Sequence, residues 1–113
     1  MRDLAPSIHR QRLVVEGSVT SSITAEDIVR YLRALGAVTQ MRVLTEPVTH
    51  QSPTYGWAGW VHWETSGAHL YAWDAPHRFF SVDIYTCKPF DPDAVTSFTS
   101  DFFQATETVS RGF

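Results

Sequence analysis

The sequence is poor in cysteine, in positive charge and in long apolar runs. A single cysteine, Cys87, among 113 residues excludes an internal disulfide framework and a cysteine-based zinc centre, and sets the expectation of a reducing, cytoplasmic setting. Nine Lys and Arg against twelve Asp and Glu leave a net charge of −3, which offers no basic footprint to a nucleic-acid backbone, so no nucleic-acid partner is expected. No apolar stretch approaches the roughly 20 residues that span a bilayer. Met1 to Arg12 carries Arg2, Arg10 and Arg12 with no apolar segment behind them, so neither a membrane partner nor a secretory signal is expected. What the chain has in plenty is aromatic: four Trp, four Tyr and seven Phe, which a dense core, a ligand surface or a subunit surface must absorb. The length allows one core, hence one domain.

Residues 1–12 read as a loosely held N-terminal arm, and residues 13–113 as a single domain. Leu13 to Val19 has the β-branched content of a strand. Thr24 is an N-cap followed by acids, and Ile28, Tyr31, Leu32 and Leu35 fall on one helical stripe that Gly36 is expected to end. Val38 to Leu44 reads as a strand and Thr49 to Tyr55 as a loop. Gly56 to Glu64 alternates as a strand. Ser66-Gly67 reads as a break or bulge, His69 to Trp73 as extended, and Phe79 to Cys87 as the strongest strand of all. Asp91-Pro92 opens a second helix through Val95, Phe98 and Phe102. The order β-α-β-β-β-β-α predicts an α+β two-layer sandwich, a mostly antiparallel sheet with both helices on one face.

Strand parity gathers the candidate chemistry. His69, Tyr71 and Trp73 share one side of their strand, and Ser81, Asp83, Tyr85 and Cys87 share one side of the next. Phe80, Val82 and Ile84 must meet the helices, so the polar side is left to solvent, ligand or a subunit. Each of these residues also has a plain structural role open to it. Cys87 at a strand end fits a small core residue as well as a thiol nucleophile. Asp83 fits a paired structural carboxylate as well as a ligand contact. His62 and His69 lack a third ligand for a metal, so no metal is expected. The tryptophans fit packing or an interface better than base stacking.

The run GWAGWVHWETSGAHLYAWDAPHRFFSVDIYTCKPFD resembles the small bacterial S-adenosylmethionine decarboxylases. The resemblance rests on G-x-x-G before a strand, Ser66 after an acidic segment, Trp73, and VDIYTC followed by a Pro-started helix; it extends over roughly residues 13–112, with Arg111-Gly112 near the end. It implies a chain that cleaves itself before Ser66 by an N→O acyl shift and β-elimination, converting that serine to a pyruvoyl group that serves as the electron sink for loss of CO₂. It further implies that Cys87 is a proton donor that also assists processing, and it makes Glu64 and Trp73 candidate substrate contacts.

The same resemblance exposes departures. Tyr71 stands where the family has a histidine five residues after the serine, Ala58 where it has a serine eight residues before, and Thr65 where it has the preceding glutamate. One extra residue lies between Trp73 and Cys87. A tyrosine of ordinary pKa near 10 is a poor base at neutral pH. The expectation is therefore a repurposed, unprocessed homologue with no cofactor. It binds S-adenosylmethionine or a related amino-acid ligand as a homodimer and runs a pyruvoyl-independent acid/base reaction of lyase type (elimination, cyclisation or hydrolysis), with Ser66, Cys87, His69, Tyr71 and Asp83 as catalytic candidates. The alternatives are a self-processing decarboxylase whose pyruvoyl group comes from Ser66, and a non-catalytic partner subunit.

Overall fold

A computed structural model describes residues 1–113, which run β1 (Gln11–Ser18), α1 (Ala25–Val38), β2 (Val48–Gln51), β3 (Trp57–Trp63), β4 (Ser66–Trp73), β5 (Phe79–Thr86), α2 (Pro92–Phe103) and β6 (Glu107–Gly112). The six strands form one sheet in the order β2-β3-β4-β5-β1-β6, every neighbouring pair antiparallel. The first strand enters between β5 and the last, so the chain's two ends are joined side by side.

Alternation decides which face each side chain takes. Leu13 and Val15, Val61 and Trp63, Ala68 and Leu70, and Phe80, Val82 and Ile84 all point to one face and are buried. The stripe Ile28, Tyr31, Leu32 and Leu35 on α1 and Val95 on α2 cover them. Each such side chain removed from water contributes about 1.5–3 kcal/mol. Tyr31 is the hinge of the helical layer: its ring packs on Phe98, Phe102 and Phe103 of α2 at centroid distances of 5.7, 5.4 and 4.8 Å. Its buried hydroxyl shares a 2.7 Å hydrogen bond with that of Thr99.

The helix starts are as expected. Thr24 and Asp27 make a reciprocal capping box at α1, and the Asp91 carboxylate accepts from the Asp93 and Ala94 N–H groups ahead of α2. Five other expectations need correction. Gly36 does not end α1; the helix runs to Val38, and Gln40, at φ 57°, takes the left-handed position, with the Gln40 N–H bonded to Ala37 O and the Met41 N–H to Gly36 O. Gly36 is a close-approach residue instead, since a Cβ there would lie 3.2 Å from the buried Trp63 indole nitrogen. Val38 to Leu44 is consequently not a strand but helix end, turn and a lone bridge from Val43 to Trp63. Part of the expected loop at 49–55 is β2, a four-residue edge strand.

The fourth correction is β6, a strand after the second helix that the order β-α-β-β-β-β-α does not contain. Its residues are largely exposed, and it pairs with β1 alone, so no apolar period marks it. Ser66-Gly67 is neither a break nor a bulge: β3 and β4 are joined by the tight turn Glu64-Thr65, and Ser66 is the first residue of β4, paired one-to-one with Trp63 and Thr86.

Candidate functional site

The face away from the helices is a lattice whose rows follow from the strand register. One row runs Trp60, His69, Asp83, Val14, Arg111 across β3, β4, β5, β1 and β6. The next row toward the β3–β4 turn runs His62, Gly67, Tyr85, Arg12. Phe113 lies beside Arg12, with its N–H on the Arg12 carbonyl at 3.1 Å. On the other side of the first row stand Ala58, Tyr71, Ser81, Glu16 and Val109.

The middle of the His62–Arg12 row lacks a side chain because it is Gly67. A Cβ there would stand 3.0 Å from the Val61 carbonyl oxygen and 3.5 Å from His62 Nδ1. The missing side chain opens a cleft of about 780 Å³ with His62 and Tyr85 on its flanks, and with Arg12 and Phe113 at its β1 end. His69, Asp83 and Ser66 also line it. That volume suits a ligand of drug or nucleoside size.

His69 sits directly opposite Asp83, a cross-strand placement that brings their Cβ atoms to about 5 Å. The two side chains make no hydrogen bond or ion pair with each other, and an imidazole and a carboxylate on one cleft wall are groups of the kind that general acid–base chemistry uses. Trp60 and Tyr71 flank His69, each with a ring centroid 6.5 Å from the imidazole.

Ser66 has a different environment from the rest of the row system. Its hydroxyl is 3.1 Å from the Thr65 hydroxyl, accepts from the Cys87 N–H at 3.3 Å, and lies 3.8 Å from Met41 Sδ. None of these partners is a general base. The Cys87 N–H also donates to the Thr65 carbonyl at 3.2 Å. One backbone donor therefore spans the carbonyl and the hydroxyl that an acyl shift at Ser66 would join.

The remaining sequence candidates fall outside the cleft. Cys87 is exposed but lies beyond the end of β5, so the thiol does not extend the row of Ser81, Asp83 and Tyr85. Tyr71 is exposed and faces Ala58 and Ser81. Trp73 stacks on Phe79 with centroids 4.7 Å apart, and Glu64 occupies the β3–β4 turn, 3.9 Å from Arg42. Sequence reasoning did not find Arg12, Gly67 or Phe113. Arg12 reads as the end of a polar arm until β1 is seen to start at Gln11, and Phe113 belongs to the site only through the unanticipated β6.

A closed helical layer on one side of a single antiparallel sheet and an open, cleft-bearing face on the other define a two-layer α+β sandwich. The chain belongs to the S-adenosylmethionine decarboxylase family, which it matches over residues 17–112. Its structure is similar to that of the adenosylmethionine decarboxylase from Aquifex aeolicus VF5, with a TM-score of 0.75 over 94% of this chain and 89% of that one, at 15% sequence identity. No curated protein sequence gives a significant match. No helix is long and apolar enough to cross a membrane.

Proposed function

We propose that the chain remains uncleaved, binds S-adenosylmethionine or a related amino-acid ligand in the cleft over Gly67, and uses His69 and Asp83 for an acid/base reaction that needs no pyruvoyl group. An elimination, cyclisation or hydrolysis fits such a pair. The observation that carries this reading is the surroundings of the Ser66 hydroxyl. An N→O acyl shift requires that hydroxyl to lose its proton as it attacks the Thr65 carbonyl, yet its neighbours are a hydroxyl, a backbone N–H and a thioether. The residues present therefore do not fit formation of the prosthetic group. Ala58 and Tyr71, two of the departures from the family pattern, stand directly opposite each other on β3 and β4 and so do not compensate near Ser66.

The open face also supports a homodimer. Tyr71 and Tyr85 are exposed, Trp60 and Trp73 are partly so, and apolar rings clustered on one surface favour association.

A second reading has one specific support. The Cys87 N–H is 3.2 Å from the Thr65 carbonyl oxygen, where negative charge would develop during self-cleavage. Intact-mass spectrometry separates the two. The first reading expects one species near 12.8 kDa; fragments Met1–Thr65 and Ser66–Phe113, the second with a blocked N-terminus, would replace it with the self-processing decarboxylase. Thermal unfolding with S-adenosylmethionine tests the ligand, since 100 times Kd adds about 2.7 kcal/mol. Saturable binding with no turnover would leave a non-catalytic partner subunit. Sedimentation at micromolar concentration tests the dimer.

A further inference from the structure

Five arginines of the chain are tied to carboxylates: Arg10 to Asp3, Arg30 to Asp27, Arg33 to Glu46, Arg42 to Glu64 and Arg78 to Asp74. Arg2 of the N-terminal arm, Arg12 and Arg111 are not, and the last two stand on the same sheet face as Asp83 and Glu16. Each of those two lies over an aromatic ring instead. The Arg12 guanidinium carbon is 5.0 Å from the Tyr85 ring centroid, and that of Arg111 is 5.3 Å from the ring of Phe113. A cation over a ring face is attracted by the ring without using its N–H donors, so the N–H fork of each is left free for an anion.

The two arginines are near neighbours. Arg111 pairs with Val14 across β1 and β6, and Arg12 is two residues before Val14 on the same face. That diagonal relation sets their Cα atoms about 7–8 Å apart, within reach of one small anionic group. Arg12, Tyr85 and Phe113 line the end of the Gly67 cleft, while the imidazole of His69 lies toward its other side.

We propose that Arg12, backed by Arg111, forms an anion-binding end of the cleft that takes the carboxylate of the ligand in a bidentate contact. This rests on the reading that the cleft holds an amino-acid ligand, and it assigns the end of the cleft at which the acid group sits. The carboxylate-bearing part of the ligand then lies over β1 and β6, and the remainder extends across Gly67 toward His69 and Asp83. A planar fork matches the two oxygens of a carboxylate, whereas a lysine in its place would supply charge without that match.

Calorimetric titration tests this with S-adenosylmethionine and with the same molecule lacking its carboxylate, on the full chain and on Arg12→Met, Arg12→Lys and Arg111→Met. The unchanged unliganded melting temperature of each variant serves as the fold control. The expected result is a preference of the native chain for the carboxylate-bearing form on the order of 10- to 100-fold. Arg12→Met should abolish it, Arg12→Lys keep part of it and Arg111→Met reduce it, with affinity for the carboxylate-free form unchanged throughout. Binding of both forms without preference, or a preference that survives Arg12→Met, overturns the proposal and leaves the ligand reading standing. If neither form binds, the ligand reading falls, and the cationic end is judged on citrate alone. Saturable citrate binding lost in Arg12→Met upholds it, and no citrate binding overturns it.

Discussion

The two faces of the sheet are built from the same strands and obey different rules. On β5, Phe80, Val82 and Ile84 are almost wholly buried under the helices, while Ser81, Asp83 and Tyr85, interleaved with them, stay on the open side. On β4 the same division separates Ala68, Leu70 and Ala72 from Gly67, His69 and Tyr71. The covered face is specified by the amount of apolar surface it removes from water, and residues of similar volume serve it equally. The open face is specified by which residue stands beside which, and there a single missing side chain, at Gly67, makes the cleft.

If that contrast is right, mutations should separate by parity. Phe80→Ala should give the largest loss, about 3–5 kcal/mol in urea unfolding, because the ring is fully buried and packs on Phe103 at 4.8 Å. Asp83→Ala, next but two along the same strand, should stay within about 0.5 kcal/mol, as should Cys87→Ala, since both sites are exposed. A Cys87→Ala variant that loses as much as Phe80→Ala would make the thiol a packing residue and break the division.

Glycines sharpen the comparison. A Cβ on Gly17 would lie 2.6 Å from Phe80 Cζ and 3.1 Å from the Ala105 Cβ, so Gly17→Ala overpacks the core and should cost about 1–3 kcal/mol. Gly67→Ala meets only the Val61 carbonyl at 3.0 Å and the flexible His62 ring. It should cost less stability than Gly17→Ala while weakening ligand binding. Equal stability losses with unchanged affinity would mean that Gly67 is a packing glycine and not the floor of a site.

The helical layer supplies a pH-dependent version of the test. Burial pushes the Tyr31 phenol well above its usual value, with the Thr99 hydrogen bond opposing only in part. The folded state thus keeps a proton that the unfolded chain releases from about pH 10 upward, so stability falls as pH rises through that range. Unfolding free energies of the native chain and Tyr31→Phe, measured from pH 8 to 11, should converge on Tyr31→Phe's side above pH 10, with an excess slope of about 1.4 kcal/mol per pH unit in the native chain. Parallel curves would show that Tyr31 ionises freely and that the layer is open to water. At pH 8, Tyr31→Phe should itself cost about 1–3 kcal/mol by leaving the buried Thr99 hydroxyl without a partner.

The covered face was legible in advance because burial leaves a period in the sequence. The stripe from Ile28 to Leu35, the alternation of Phe80, Val82 and Ile84, and the Asp91-Pro92 start all mark it, and the two-layer architecture follows. Elements that bury neither side leave no such mark, which is why β2 and β6 escape the pattern, whereas Gly36 signals a helix end by residue type alone and is used instead for the close approach of Trp63. The site was legible only by halves. Parity alone put His69, Tyr71, Asp83 and Tyr85 on one face. Which of them adjoin depends on register, and the contributions of Arg12 and Phe113 depend on β1 lying between β5 and β6, a pairing that no local pattern encodes.

The smallest expected effect comes from restoring the family residues at the departures. Ala58 and Tyr71 face each other across β3 and β4, and Tyr71 is five residues from Ser66, roughly 16 Å along the strand and on the opposite side of it. A serine and a histidine at those positions cannot reach the Ser66 hydroxyl of their own chain. Ala58→Ser combined with Tyr71→His should therefore leave an isolated chain intact, as read by intact mass after days at a concentration where sedimentation shows only monomer. Cleavage at that dilution would mean that β4 bends to bring the two groups to Ser66, and the flat row lattice of the open face would be wrong. Cleavage that appears only as concentration rises would instead place the pair across a dimer contact, acting on the Thr65–Ser66 bond of a second copy. The open face would then be the interface as well as the site.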